Sequence, residues 1–157
     1  MRAIARIYNG AIAEREATFE TRTREPQEIA EWLESAYPVV VAEVEGELAG
    51  FAKLGAYSGR EVYGGIAEHG VYVAPRARRR GAGRALLEAL AGEAERAGFY
   101  KLTSRIFSSN TASIRLHEAS GFTIVGVQRH HGQLDGRWID CVLVERLLGE
   151  AAGWPGA

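Results

Sequence analysis

The stretch Val71-Tyr72-Val73-Ala74-Pro75-Arg76-Ala77-Arg78-Arg79-Arg80-Gly81-Ala82-Gly83-Arg84-Ala85 holds the change from strand to helix on which the fold turns. Val71, Tyr72 and Val73 are β-branched or aromatic and favour a strand. Pro75 ends that strand, because it has no N–H to give a ladder and its φ is fixed. From Ala85 onward, Leu86, Leu90, Ala94 and Ala97 recur on one helical face. Between strand and helix lies Arg-Arg-Gly-x-Gly. A helix N-terminus offers unpaired N–H groups and a partial positive charge, so it attracts anions. The glycines let backbone approach a ligand, and five arginines within nine residues (76, 78, 79, 80 and 84) surround it. Such a loop is suited to a pyrophosphate, although a solvated basic turn capped by glycines has the same composition. It is neither a dinucleotide fingerprint, since Ala85 or Leu86 stands where the third glycine belongs, nor a P-loop, since no lysine follows.

Working outward, the chain of 157 residues is read as one domain over 1–148 with a tail over 149–157. The 46% apolar content and a net charge of −1 describe a globular chain whose arginines are a local patch. No run of 18 apolar residues suggests a membrane span, and no signal pattern opens the sequence. The single Cys141 leaves no intrachain disulfide, and no Cys/His spacing suggests zinc. A cytoplasmic protein that uses no metal is expected, with no membrane or nucleic-acid partner.

The pattern predicts a helix over about Ala3–Ala13, an extended Ala17–Glu20, and a helix from Pro26 with Ile29, Trp32, Leu33 and Ala36 as its stripe. Pro38 closes it. A hairpin follows over Val39–Glu45 and Leu48–Leu54, then a polar loop over Gly55–Gly65 and a strand over Ile66–Val73. The long helix stops at Gly98, a strand covers Tyr100–Phe107, and a helix over Thr111–Ser120 stops at Gly121. Two strands, Phe122–Arg129 and Trp138–Leu148, flank a turn-rich His130–Arg137, and Gly149–Ala157 is expected to fray. The fold class is therefore α/β, with a mixed central sheet flanked by helices. Its strand–helix–strand unit should be parallel and right-handed, with ligands beyond the carboxyl ends of the strands.

Four features around that cleft could carry chemistry. Glu68, Gly70 and Tyr72 share one strand face, opposite Ala67, His69, Val71 and Val73. A carboxylate at mid-strand is costly if buried and idle, so Glu68 sits at a solvated edge or works. His117, three residues after Ile114, could face the cleft or be an ordinary helix polar residue. Arg60 and Tyr63 could clamp an anionic substrate, although a loop arginine is often only solvated. Gly132–Asp140 reads as a hairpin turn carrying Trp138.

Taken together, Glu68 before V-Y-V-x-P-R, the R-R-G-x-G loop, and Asn110-x-x-Ser113-x-x-x-His117-Glu118-x-x-Gly121-Phe122 resemble the phosphinothricin acetyltransferase group of the GNAT superfamily. Tyr37-Pro38 leading into Val41-Ala42-Glu43-Val44-x-Gly46-Glu47-x-Ala49-Gly50, and Gly136-x-Trp138-x-Asp140, extend the likeness over nearly the whole chain. The resemblance implies transfer of acetyl from acetyl-CoA to the α-amino group of an amino-acid analogue such as phosphinothricin, methionine sulfoximine, methionine sulfone or arsinothricin. It implies Glu68 and His117 as catalytic groups. For acetyl-CoA it implies Val71, Tyr72, Val73, Arg78, Arg79, Arg80, Gly81, Ala82, Gly83, Arg84, Asn110 and Ser113. Phe19, Arg60 and Tyr63 are the implied substrate contacts, and a homodimer the implied assembly, with the Gly132–Asp140 turn directed at the partner. An amine must lose a proton before it attacks, so Glu68 would be the base, directly or through water. A strand-end N–H near Tyr72 would serve the oxyanion, and His117 would protonate the thiolate or shuttle the amine proton.

Two departures accompany the likeness. Members of the group begin with a strand, whereas this chain begins inside the helix that follows it, so six or seven strands are expected. Ser58 stands where herbicide-detoxifying members often carry lysine. An acetyl-CoA-binding sensor without catalysis, or an acetyltransferase for protein N-termini or aminoglycosides, would share the cofactor loop. Nucleic-acid binding through Arg76–Arg84 lacks an interleaved aromatic platform.

Overall fold

The computed structural model describes residues 1–156. Helix α1 (Arg2–Glu14) and helix α2 (Pro26–Glu34) come first. Then come strands β1 (Val39–Val44), β2 (Glu47–Ala56) and β3 (Ile66–Val73), helix α3 (Ala82–Arg96), strand β4 (Lys101–Phe107) and helix α4 (Thr111–Ala119). Strands β5 (Thr123–Leu134) and β6 (Arg137–Leu147) and a short helix α5 (Gly149–Gly153) complete the order. The six strands form one sheet in the order β1-β2-β3-β4-β6-β5. All neighbours are antiparallel except β3 and β4, which are parallel and joined through α3.

Helices α1, α2 and α3 pack on the sheet because their apolar residues fall on one stripe. From α3, Leu86, Leu87, Leu90, Ala91 and Ala94 pack against Ala52, Leu54, Ala67, Leu102 and Val144. From α1, Ile4, Ala5, Tyr8 and Ile12 join Ile29 of α2 and Phe51 of β2, with Trp32 and Tyr72 packed alongside. Asn9 ties α1 to the segment that leads into α2: its amide donates to the Arg24 carbonyl at 3.0 Å and accepts from the Arg24 N–H at 2.8 Å. Glu25 and Glu28 form a reciprocal cap at the start of α2, with Pro26 in the first turn.

Several boundaries differ from the sequence reading. The turn expected over His130–Arg137 is largely strand, because Asp135 and Gly136 close a tight hairpin with φ of 51° and 75°. Two positive φ values match the twist of the flanking strands, as an Asp-Gly pair allows. A register shift between Gln128 and Gly132 takes up the extra length. Helix α2 stops before Ala36, since Ser35 is extended and its hydroxyl bonds the Trp32 carbonyl at 2.8 Å. The expected fraying over Gly149–Ala157 gives way to α5, and Ala157 lies outside the described residues. Among the described residues no helix is long and apolar enough to cross a membrane, and no group of three His, Cys, Asp or Glu could hold a metal ion.

Candidate active site

Strands β3 and β4 pair only over Ile66–Lys101, Ala67–Leu102 and Glu68–Thr103, then part. The fork opens toward the carboxyl ends of both strands. On its other side β3 stays bonded to β2, and the Ala74 N–H donates to the Ala49 carbonyl at 2.7 Å. Alternation then turns the backbone of Tyr72 toward β2 and that of His69, Val71 and Val73 toward the fork. Two contacts agree: the Ser104 hydroxyl donates to the His69 carbonyl at 2.9 Å, and Arg78 Nε donates to the Val73 carbonyl at 3.2 Å. The N–H groups near Tyr72 that face the opening are thus those of Val71 and Val73. The Tyr72 phenol packs against Tyr8 and Phe51, and burial pushes its pKa upward.

A cleft of about 1060 Å³ follows the fork. Glu68, His117, Phe19, Asn110 and Ser113 line it, as do Val71, Tyr72, Val73, Arg78, Arg79, Gly81, Gly83 and Arg84. Arg80 and Ala82 do not line it; Ala82 is buried in the first turn of α3. Gly81 caps α3 with a φ of 82°, and a Cβ there would meet nothing within 4 Å, so its need for glycine is conformational. Gly83 is different: a Cβ would stand 2.8 Å from Leu116 Cδ2 of α4, so this glycine lets the two helices close on each other. Asn110 caps α4 by accepting from the Ser113 N–H at 3.2 Å and donates to the Glu16 carbonyl at 3.3 Å. Phe19 packs on Phe107, with ring centroids 4.7 Å apart.

Arg60 and Tyr63, the expected substrate clamp, do not line this cleft. A 3-10 turn over Glu61–Tyr63 folds the Arg60 guanidinium over the Tyr63 ring, 5.3 Å from its centroid. That loop enters β3 at its amino end, whereas the cleft opens at the carboxyl end. The cation at the fork is Arg105 of β4, which the sequence reading did not single out. Its Nη1 donates to Glu68 Oε1 at 2.8 Å and its Nε to Gln128 Oε1 at 3.0 Å. Both partners of the ion pair are partly exposed. Register could have found it: Glu68 pairs with Thr103, and Arg105 is two residues on, hence on the same face.

The opposite side of the fork holds two histidines. His117 is 2% exposed and His69 7%, and their Nε2 atoms lie 3.0 Å apart. His117 Nδ1 donates to the Ser113 carbonyl at 2.7 Å, because a carbonyl can only accept. A neutral His117 then presents a lone pair at Nε2, and the proton between the rings belongs to His69 Nε2. His69 Nδ1 is buried with no hydrogen-bond partner. Burial, reinforced by His117, depresses the His69 pKa to about 3. Burial also lowers that of His117, against a smaller opposing effect of the Ser113 contact.

Residues 4–122 match the acetyltransferase (GNAT) family. The chain belongs to that family. An L-methionine sulfoximine/L-methionine sulfone acetyltransferase from Salmonella typhimurium is 36% identical over 154 residues, covering 96% of this chain and 90% of that protein. A phosphinothricin N-acetyltransferase from Streptomyces viridochromogenes is 38% identical over 143 residues, covering 89% of this chain and 78% of its own length. Among solved structures, a putative acetyltransferase from Salmonella typhimurium with its cofactor acetyl-CoA gives a TM-score of 0.90 at 36% identity, covering 99% of this chain and 92% of that one. A phosphinothricin acetyltransferase from Sinorhizobium meliloti in complex with acetyl-CoA gives 0.88 at 33% identity, covering 99% and 87%. This GNAT chain therefore has the acetyltransferase fold its motifs suggested, with the glycine–arginine loop and the fork meeting in one cleft.

Proposed function

We propose that this chain transfers the acetyl group of acetyl-CoA to the α-amino group of an amino-acid analogue of the methionine sulfoximine, methionine sulfone, phosphinothricin or arsinothricin type. The observation that carries the reading is the partly exposed Glu68 carboxylate at the mouth of a β3–β4 fork, where the ladder between the two strands stops. The names of the relatives over most of the chain support the substrate class.

The residues present fit acetyl-CoA. A fork edge offering the backbone of Val71 and Val73 can bond an amide-bearing pantetheine arm. The first turn of α3 with Arg78, Arg79 and Arg84 suits a pyrophosphate, and Gly81 leaves the approach open. Glu68 takes the proton of the substrate ammonium, directly or through water. The amine nitrogen then forms its bond to the thioester carbon, the carbon–sulfur bond breaks to release coenzyme A as thiolate, and the second proton lost by the nitrogen is taken up by that thiolate. The Val71 or Val73 N–H is placed to donate to the oxyanion.

His117 has both ring nitrogens engaged, so donating to the thiolate requires Nε2 to leave His69. A thiolate is a far better leaving group than an alkoxide or an amide anion, so it can depart without prior protonation. The larger catalytic share is therefore assigned to Glu68. Homodimer assembly is part of the same reading. The edge strand β5 exposes Ile124, Val125 and Val127, β6 exposes Trp138, and apolar edges are rarely left open. So are cytoplasmic action and a role in resistance to such analogues.

The test is thiol release from acetyl-CoA with L-phosphinothricin, L-methionine sulfoximine and L-methionine sulfone, against an aminoglycoside and a peptide as controls. Saturable turnover confined to the amino-acid analogues is expected. Turnover of the controls alone would overturn the substrate class, and cofactor binding without thiol release from any amine would overturn catalysis.

A further inference from the structure

We infer that the Arg105–Glu68 ion pair reads the zwitterionic head of the substrate, Glu68 taking its α-ammonium and Arg105 its α-carboxylate. The inference rests on the acetyltransferase reading above and makes Arg105 a specificity-determining residue. An exposed ion pair of this kind contributes little to stability, about 0–1 kcal/mol, and β3 and β4 already share a ladder below it. Holding the sheet together is therefore a weak reason for an arginine here.

The pair lines the cleft, and its two members use few of their bonding sites. Of the five guanidinium N–H groups, one goes to Glu68 and one to Gln128, leaving three, both of those on Nη2 among them. Glu68 Oε2 takes no hydrogen bond among the described residues. Gln128, on β5, holds Nε from the far side, so the free Nη2 edge is fixed in orientation. An α-amino acid carries its ammonium and carboxylate on one carbon, close enough to lie alongside a contact ion pair. The four charges then alternate around a closed square, and no existing bond has to break. A guanidinium edge also matches a carboxylate geometrically, as an ammonium would not. Arg60, the other candidate cation, is committed to Tyr63 outside the cleft.

The experiment is steady-state thiol release by the wild type, Arg105→Ala and Arg105→Lys with three amines: L-methionine sulfone, its methyl ester, and the amine lacking the carboxyl group. Comparing variant with wild type on each substrate cancels the intrinsic reactivity of the amines. Arg105→Ala is expected to lower kcat/KM for the acid by about 10- to 100-fold, the range of a charged hydrogen-bond pair. The loss should appear mainly in KM, and should be several-fold larger for the acid than for the ester and the decarboxylated amine, which share only the effect of freeing Glu68 from its partner. Arg105→Lys should recover part of the loss on the acid only. An equal loss on all three amines would overturn the proposal and make Arg105 a partner of Glu68 alone, as would an unchanged KM for the acid. A wild type that acetylates none of the three would instead overturn the reading beneath it.

Discussion

The buried histidine pair makes folding stability depend on pH below the ordinary histidine pKa. In the unfolded chain both rings return to an ordinary pKa near 6.5. In the fold His69 stays neutral down to about pH 3 and His117 is also shifted downward. The folded pKa lies below the unfolded one, so below pH 6.5 the unfolded state binds protons that the folded state refuses. Stability is complete above that pH and falls as acid is added. From pH 7.5 to 5.5 an unfolded histidine with pKa 6.5 gains about 0.8 proton, worth about 1.4 kcal/mol for His69 alone. If His117 also remains neutral at pH 5.5, the loss approaches about 2.7 kcal/mol, a hundredfold change in the folding constant. Glu28 does not blur this window: held by Arg22 at about 2, it loses its contribution only below an unfolded value near 4.5.

The assay is urea unfolding followed by tryptophan fluorescence at pH 7.5, 6.5 and 5.5, with NMR titration of the two imidazoles in the folded protein. His69→Gln should remove its own share of the slope, whatever it costs in absolute stability. A stability that is flat over this window, or a slope that survives loss of both rings, would refute the tautomer and burial argument.

Three other substitutions test separate parts of the structure. Glu68→Gln keeps the shape of the side chain but removes the base, and should lower kcat by about 10²-fold or more with little change in the acetyl-CoA KM; His117→Ala should cost less. Gly50→Ala places a Cβ 2.7 Å from the Tyr72 carbonyl oxygen and 3.0 Å from Leu86 Cδ1. A destabilisation of about 1–3 kcal/mol is expected by urea titration, and an unchanged midpoint would mean the β2–β3–α3 contact is looser than described. Trp138→Ala, at an exposed position stacked on His130, should shift sedimentation toward the monomer if this hairpin forms the dimer interface.

The order of elements was legible because each depends on local signals: a period of about 3.6 in α1, α2 and α3, a proline ending β3, and an Asn cap on α4. The glycine–arginine loop was legible for the same reason, being contiguous in the chain. What was not legible depends on register. Nothing near Arg105 in sequence marks it; it meets Glu68 only because β4 pairs with β3 at Glu68–Thr103, and it meets Gln128 across 23 residues. His69 was placed on the face opposite Glu68, yet its partner His117 is 48 residues away and nothing beside it in sequence marks the pair. Arg60 and Tyr63, read from the loop as a clamp for an anionic group, flank a 3-10 turn that folds the guanidinium over the ring, away from the residues that line the cleft.

The fork itself has a cause in the residues beside it. In a continued parallel ladder the next acceptor on β3 would be the His69 carbonyl, which would have to take a backbone N–H from β4. The Ser104 hydroxyl donates to that carbonyl instead, at 2.9 Å, so β3 loses the rung without leaving the carbonyl unpaired. On one face the rings of His69, His117 and Phe122 meet with centroids 4.9–5.2 Å apart, filling the space that opens as the strands diverge. On the other face Arg105 and Glu68 hold the rim in water. The opening is thus packed on its dry side and charged on its wet side. The two groups whose chemistry differs most, a neutral imidazole pair and a paired carboxylate, are separated by a single step along β3, from Glu68 to His69. Alternation of side chains in one strand is what sends these two groups to opposite faces of the sheet.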